Sequence, residues 1–403
     1  MPRFAEVLEE IQQEHEAVRR AWSRGDDPER LTEGEPGERP VRPRRRGAPD
    51  PRHAESLLEA IRFMNEVYEG RRPLEHLREA MTTDDFPSLF GDILDREVLA
   101  GFRETPRTFE AYFRVNNQVR DFRERVIFAL DGGEGVLDKV GEREEYPEAA
   151  VDDSEKARYK VEKYGRVFDL SWETLQNDDL GAFRALPTRL GRAARRSEEK
   201  FATQQFVDAS GPHASVFTVG NENLVTGEPP LSIEGLRVAL ADLAAQTDTD
   251  GEPIFIETVH LVVPPALEVT ANNILNALQL EITGEVGGTS GQKLIVANWI
   301  RNRMQVHVNR YIPIIASTAN GDTSWFLIGD PGVDRPFAEF GRLRGHAEPE
   351  LWVRESNARR IGGGPVPPEE GSFETDSVRY RVRHVFGATV VEPIMAIASN
   401  GTA

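Results

Sequence analysis

Residues 4–22 place Phe4, Val7, Leu8, Ile11 and Val18 at helical spacing, which predicts an amphipathic helix. The next stretch, "SRGDDPERLTEGEPGERPVRPRRRGAPDPR" (23–52), is rich in Pro, Gly and charge and has almost nothing to bury, so it reads as a linker. A second helix is expected from His53 to Glu69, with Leu57, Leu58, Ile61, Met64 and Tyr68 in step. Residues 1–80 thus look like a helical extension on a basic Pro/Gly-rich tether, appended to the main core. From Met81 to Arg120 the signals are short and mixed. They offer a capped helix start at Thr83 or Asp84 with an amphipathic turn or three, then the partly extended aromatic run "TFEAYFRVNNQVRDFRERVIFAL".

The pattern changes at 131–170. An acidic block, Glu142 to Glu155, sets seven carboxylates against one arginine and passes into the alternating run "ARYKVEKYGRVFDL". An upstream strand near Val126–Leu130, or near Val136–Val140, would pair with it. The expected object is a long, polar, two-stranded hairpin with little core beneath it, which is marginal alone and must lean on something. A long helix follows in "NDDLGAFRALPTRLGRAARRSEEKFATQQF" (177–206). At 100° per residue, Leu186, Leu190, Ala194, Ser197 and Phe201 fall within about 60° of Phe183. Arg184, Arg189, Arg192, Arg195 and Arg196 take the opposite half. Proline suits a first helical turn, so the main helix is expected to begin at Pro187 and run to about Ala209. Such a helix has one narrow apolar seam and a wide cationic back; on this segment alone, the plain reading is a solvated surface helix.

The remainder is α/β. "SIEGLRVALADLAAQ" (232–246) is a helix capped by Ser232, and "ETVHLVVPPALEVTANNILNAL" (257–278) is a buried strand, a proline turn and a helix. Further strands are expected in 293–312 and 323–330, then long alternating ones in 349–357 and 377–393, on either side of a Gly/Pro-rich loop. The predicted class is α+β.

Composition narrows the functions open to these elements. With no cysteine, the chain has no disulfide, thiol nucleophile or cysteine-based zinc site. The net charge of −19 argues against a general nucleic-acid binder, although Arg39 to Arg52 is locally basic. No apolar run is long enough for a membrane span, and the acidic start lacks a signal-peptide core. "GGTSGQK" (287–293) has the wrong spacing for a phosphate loop, no GxSxG elbow exists, and none of the eight histidines sits at metal-ligand spacing. Asn177, Asp178 and Asp179 read as helix-start residues more than as an acid–base pair. No catalytic, cofactor or metal residues are expected.

The order of parts, with "YGRVFDLSWETLQNDDLGAFRALPTRLGRAARRSEEKF" at its centre and "DSVRYRVRHVFGATVVEP" near its end, resembles the major capsid proteins of tailed bacteriophages, the Hong Kong 97 fold, and among them the Mu-like and related groups. The resemblance covers roughly residues 81–403. It implies an N-arm at 81–120, an extended loop at 121–170, and a peripheral domain with a spine helix at 171–225. An axial domain would follow at 226–338, peripheral return strands at 339–390, and a terminal segment at 391–403. It further implies pentamers and hexamers of this chain in an icosahedral shell around double-stranded DNA, formed in the host cytoplasm and kept in the virion. Portal, scaffold or decoration proteins would be further partners; no membrane is involved.

Under that resemblance the extended loop lies across a neighbouring subunit. Glu142, Glu144, Glu145, Asp152 and Asp153 would then meet spine-helix residues Arg189, Arg192, Arg195 and Arg196, while Arg359 and Arg360 would sit in a loop where subunits meet. Arg42, Arg44, Arg45 and Arg46 would touch DNA or the inner face. Gly132, Gly133, Gly135, Gly165 and Gly181 are candidate hinges for flexing at the roots of the hairpin and arm. Some members of the family weld neighbours by joining a loop lysine to an asparagine with a glutamate's help. Lys139, Lys156, Lys160, Lys163 and Asn357 lie in the corresponding regions here, with nothing to fix their geometry. Two rivals stay open: an encapsulin-like cargo shell, and a soluble α/β enzyme with a scattered site.

Overall fold

The computed structural model describes residues 86–131, 152–171, 180–247 and, with short gaps, 251–402; the longest of these gaps is 362–371. The expected helices of residues 1–80, the hairpin end at 132–151 and the helix-start residues 177–179 lie outside the described residues. In chain order the main elements are helix α1 (Phe86–Glu104) and strands β1 (Arg114–Val119), β2 (Arg125–Asp131), β3 (Asp152–Tyr159) and β4 (Glu162–Ser171). Then come helix α2 (Leu180–Thr203), helix α3 (Ile233–Ala244), strand β5 (Val259–Val263), helix α4 (Glu268–Asn276) and strands β6 (Gln279–Val286), β7 (Thr289–Ala297) and β8 (Met304–Val308). Strands β9 (Trp325–Gly329), β10 (Ala338–Leu343), β11 (Glu350–Val353), β12 (Ser377–Val390) and β13 (Ala396–Ser399) complete the chain.

Two compact units result. One comprises the chain up to Pro106, Lys163–Arg196 and Gly345–Val385; the other comprises Arg107–Glu162, Ser197–Arg344 and Phe386–Ala403. In the first, α1 crosses α2 with backbone against backbone. A Cβ on Gly191 would stand 2.0 Å from the Val98 carbonyl oxygen, and one on Gly101 2.4 Å from that of Thr188. Only hydrogen fits at either place. The early part of β12 pairs antiparallel with β11, Trp352 opposite Arg381, and also pairs with β4.

The second unit has its core around a four-stranded sheet of order β8-β5-β9-β13. Every residue of β5, β9 and β13 is buried. Continuous apolar runs such as "HLVV" and "WFLI" suit strands covered on both faces. Helix α3 adds Leu236, Ala239 and Leu243 to this core, and α4 adds Ala271 and Leu275. The Ser232 hydroxyl accepts from the Gly235 amide at 3.1 Å, the expected N-cap. Elsewhere in this unit β1 runs parallel to β10, which pairs antiparallel with the end of β12. Phe113, Phe206, Phe326 and Phe337 interlock edge to face, and burying each contributes roughly 1.5–3 kcal/mol.

A buried polar cluster interrupts this core. His260 Nδ1 and His307 Nε2 lie 2.9 Å apart, so one ring donates to the other. His307 also packs on Tyr112, whose hydroxyl accepts from Asn309 at 3.2 Å. Burial, and then the His260 ring, push His307 down to about 4; burial also lowers His260, against the opposing field of Asp330. The unfolded histidines therefore take up protons first. Their contribution is complete above about pH 6.5 and is lost as pH falls toward 4. With the groups only partly shielded, the expected loss is about 2 kcal/mol between pH 7 and 4. Urea midpoints at the two pH values should differ less in a His307→Asn variant than in the unaltered chain; equal slopes would remove the pair from the acid response.

Candidate interaction surfaces

The β2–β3 hairpin is the most exposed element in the second unit. Its strands pair with each other, from Arg125 opposite Tyr159 to Asp131 opposite Asp152, and with no other strand among the described residues. Of the two upstream strands expected to pair with the alternating run, the one near Val126–Leu130 does so. The run itself is broken at Lys160 and Val161, between β3 and β4. Phe128 is 59% exposed, which fits a ribbon with little beneath it.

The root of this ribbon is clamped. Tyr159 is buried and donates its hydroxyl to Glu339 Oε1 at 2.7 Å; that oxygen also accepts from Asn116 at 3.0 Å and lies 3.5 Å from Arg125. Burial and the adjacent carboxylate push the Tyr159 phenol up, so it stays a donor. The ring occupies the space of a missing side chain: a Cβ on Gly341 would be 2.4 Å from the Tyr159 oxygen. Likewise Gly387 leaves room for the Lys160 carbonyl, 2.2 Å from where its Cβ would stand. Lys156 adds an ion pair to Glu392 at 3.5 Å. The expected hinge at the root is thus absent. Gly165 is also a packing glycine, its Cβ position 2.6 Å from the Val382 carbonyl oxygen, and Gly181 lies within α2. Gly132, Gly133 and Gly135 lie outside the described residues.

Helix α2 differs from its expected form. It spans Leu180–Thr203 with Pro187 inside it, so the proline does not mark its start. Its buried residues are Pro187, Leu190, Gly191, Ala194, Arg195, Glu198, Glu199, Ala202 and Thr203. On a helical wheel this seam is rotated by about 80° from the stripe centred on Phe183. Ser197 is exposed, and three charged residues take its place inside. Arg195 must therefore be removed from the cationic back. It is 2% exposed, its guanidinium lies 3.7 Å from the centre of the Phe102 ring, and its Nε donates to the Phe102 carbonyl at 3.3 Å. Arg192 is partly exposed and pairs with Glu104 at 3.2 Å within the same unit. Arg189 and Arg196 are exposed.

The other expected contact residues fall as follows. Asp152 and Asp153 open β3 at the far end of the ribbon. Arg359 is exposed. Arg360, Glu142, Glu144, Glu145, Arg42, Arg44, Arg45 and Arg46 lie outside the described residues. Asn357 is held: its amide donates to both Glu374 carboxylate oxygens, at 3.1 and 3.0 Å, which lowers the Glu374 carboxyl below the usual range. Among the described residues, no cluster of His, Asp or Glu would hold a metal ion, and no helix is long and apolar enough to cross a membrane.

Two features escaped the sequence. One is the buried trio Arg342, Glu198 and Glu110 in the second unit. The other is the row Arg379, Arg381 and Arg383 beside Trp352 in the first, foreshadowed only by the alternation of "VRYRVRHV".

A family model described as phage capsid protein matches residues 154–399, from β3 to β13. The chain belongs to this phage capsid protein family. As a phage capsid protein, it is a structural subunit of a shell, and the elements above are parts from which such a shell is built. No curated protein matches it. Among solved structures, it is similar to the virus-like particle from Pyrococcus furiosus, with 11% identity over 77% of this chain and 99% of that one and a TM-score of 0.42. It is also similar to Gordonia phage Cozz, with 13% identity, 71% and 83% coverage and a TM-score of 0.41. A third similar structure is the holo-SrpI encapsulin complex from Synechococcus elongatus PCC 7942, with 13% identity, 74% and 89% coverage and a TM-score of 0.41.

Proposed function

We propose that this phage capsid protein is the major head subunit, forming pentamers and hexamers that close into an icosahedral shell around double-stranded DNA. The family match over 154–399 carries this reading. In it, residues 121–170 are an extended loop reaching a neighbour, 226–338 most of an axial domain, and 171–225 with 339–390 a peripheral domain. Residues 1–80 remain as an extension on the inner face, where Arg42, Arg44, Arg45 and Arg46 meet DNA phosphates without sequence preference. Assembly takes place in the host cytoplasm, and portal, scaffold or decoration proteins join there. Shell cohesion comes from many weak contacts per subunit, each exposed ion pair contributing about 0–1 kcal/mol.

The test is electron microscopy and sedimentation velocity of the purified full chain. Closed particles, rings or tubes are expected, with nucleic acid in filled particles. Particles that enclose a protein cargo instead would favour a compartment shell. A compact species that never assembles would overturn the reading. Denaturing electrophoresis of the particles is expected to return single chains. A ladder resistant to denaturant would instead point to Asn357, whose carboxamide Glu374 already holds in place.

A further inference from the structure

The first unit carries a strand with one cationic side. Along β12, Val378, Tyr380 and Val382 are buried, Arg379 and Arg381 are exposed, and Arg383 is half-buried. Strand geometry therefore spaces these arginines about 6.8 Å apart along one face. Trp352, the register partner of Arg381, is 45% exposed and faces two guanidiniums, 5.5 Å away for Arg381 and 4.9 Å for Arg383. Stacking on the indole orders these forks before any partner arrives. Asp169 answers Arg379 at 2.8 Å, and Glu350 answers Arg383. Arg381 meets no carboxylate among the described residues.

The complementary charge is on the hairpin. At its far end Asp131 stands directly opposite Asp152, and Asp153 follows. Like charges facing each other across an antiparallel ladder destabilise it, so this end is held best against cations. The intervening sequence adds to the problem, since Glu142–Glu155 holds seven carboxylates and one arginine. In β3, Asp153 and Glu155 repeat at the same two-residue spacing as the arginines of β12.

We propose that the acidic end of the β2–β3 hairpin of one copy docks on the Arg379–Arg381–Arg383 and Trp352 face of a second copy. The inference rests on the shell reading, which sets copies side by side. It replaces α2 as the hairpin's partner, because Arg195 is buried and Arg192 is engaged by Glu104.

The experiment is a charge exchange in the full chain. Arg379→Glu with Arg381→Glu, and separately Asp152→Lys with Asp153→Lys, should each leave the melting curve of the unassembled protein unchanged. Each pair should also cut the yield of closed particles about tenfold or more, since like charges then meet at every contact. All four changes in one chain should restore assembly, and so should mixing the two double variants, because each then offers what the other lacks. Arg381→Gln, which removes charge without reversing it, should fall between. Normal assembly of the arginine variant overturns the proposal; normal assembly with loss of enclosed nucleic acid reassigns the face to nucleic acid. A folded four-change chain that stays unassembled also overturns it. If the unaltered chain forms no particles, the shell reading fails and the docking falls with it.

Discussion

Replacing Arg342 with alanine should cost the second unit about 3–5 kcal/mol, the range for leaving a buried ion cluster without its cation. The Arg342 side chain is 7% exposed and that of Glu198 0%. Nε donates to Glu198 Oε1 at 2.7 Å, and Nη2 donates to Glu198 Oε2 at 3.0 Å and to Glu110 Oε1 at 2.7 Å. Burial works against the guanidinium's charge, but the hydrogen bonds and charges of Glu198 and Glu110 more than offset it and raise the Arg342 pKa. Alanine would leave two carboxylates facing each other out of water, with no donor of comparable reach. Arg342→Met combined with Glu198→Met should be milder than Arg342→Ala alone, because the desolvated charges then go together. Urea denaturation of the unassembled chain checks both variants, provided the slope of the transition stays constant. A loss below about 1 kcal/mol for Arg342→Ala would show that water reaches the cluster and screens it.

A valine at position 191 should be the most disruptive single change in the first unit. Its Cβ would fall 2.0 Å from the Val98 carbonyl oxygen and 2.8 Å from the Phe102 amide nitrogen, both backbone atoms of α1. A side chain would swing aside; a helix backbone moves only as a body. Separating the helices would also lift the Phe102 ring from Arg195 and from its edge contact with His384. The expected cost is about 3 kcal/mol or more, at or beyond the usual upper limit for overpacking. Hydrogen exchange localises it: amides of α1 should lose protection while β5 and β9 keep theirs. Undiminished protection in α1 would mean that the helices do not cross at Gly191.

What the sequence disclosed, and what it concealed, follows from how each element is buried. Helix α3 and strands β5 and β9 were legible because apolar residues fill them and Ser232 and the Pro264–Pro265 pair mark their limits. The hairpin was legible from its alternation. In α2 the same method chose the wrong face, because Arg195, Glu198 and Glu199 are buried by partners far away in sequence. Polarity along a helix cannot reveal a cation supplied by Arg342, which is 144 positions from Glu198. Strand β10, "AEFGRL", is buried throughout yet has neither period 2 nor an apolar run, since its Glu339 and Arg342 are satisfied by Tyr159, Glu198 and Glu110. The hairpin's acidic character was plain, whereas the cationic row beside Trp352 emerged only from the register of β11 and β12.

The clamp around Tyr159 gives the hairpin a mechanical character. A ribbon fixed by Glu339 and fitted into the spaces at Gly341 and Gly387 behaves as a cantilever, with its load at Asp152, about 24 Å out at ~3.4 Å per residue. Force on the free end is not dissipated in a slack joint. It arrives at the support as torque on β10 and β12, magnified by the length of the arm. A small misplacement of whatever the tip grips is thereby felt in the sheet itself, and the hairpin acts as a gauge of position more than as a tether.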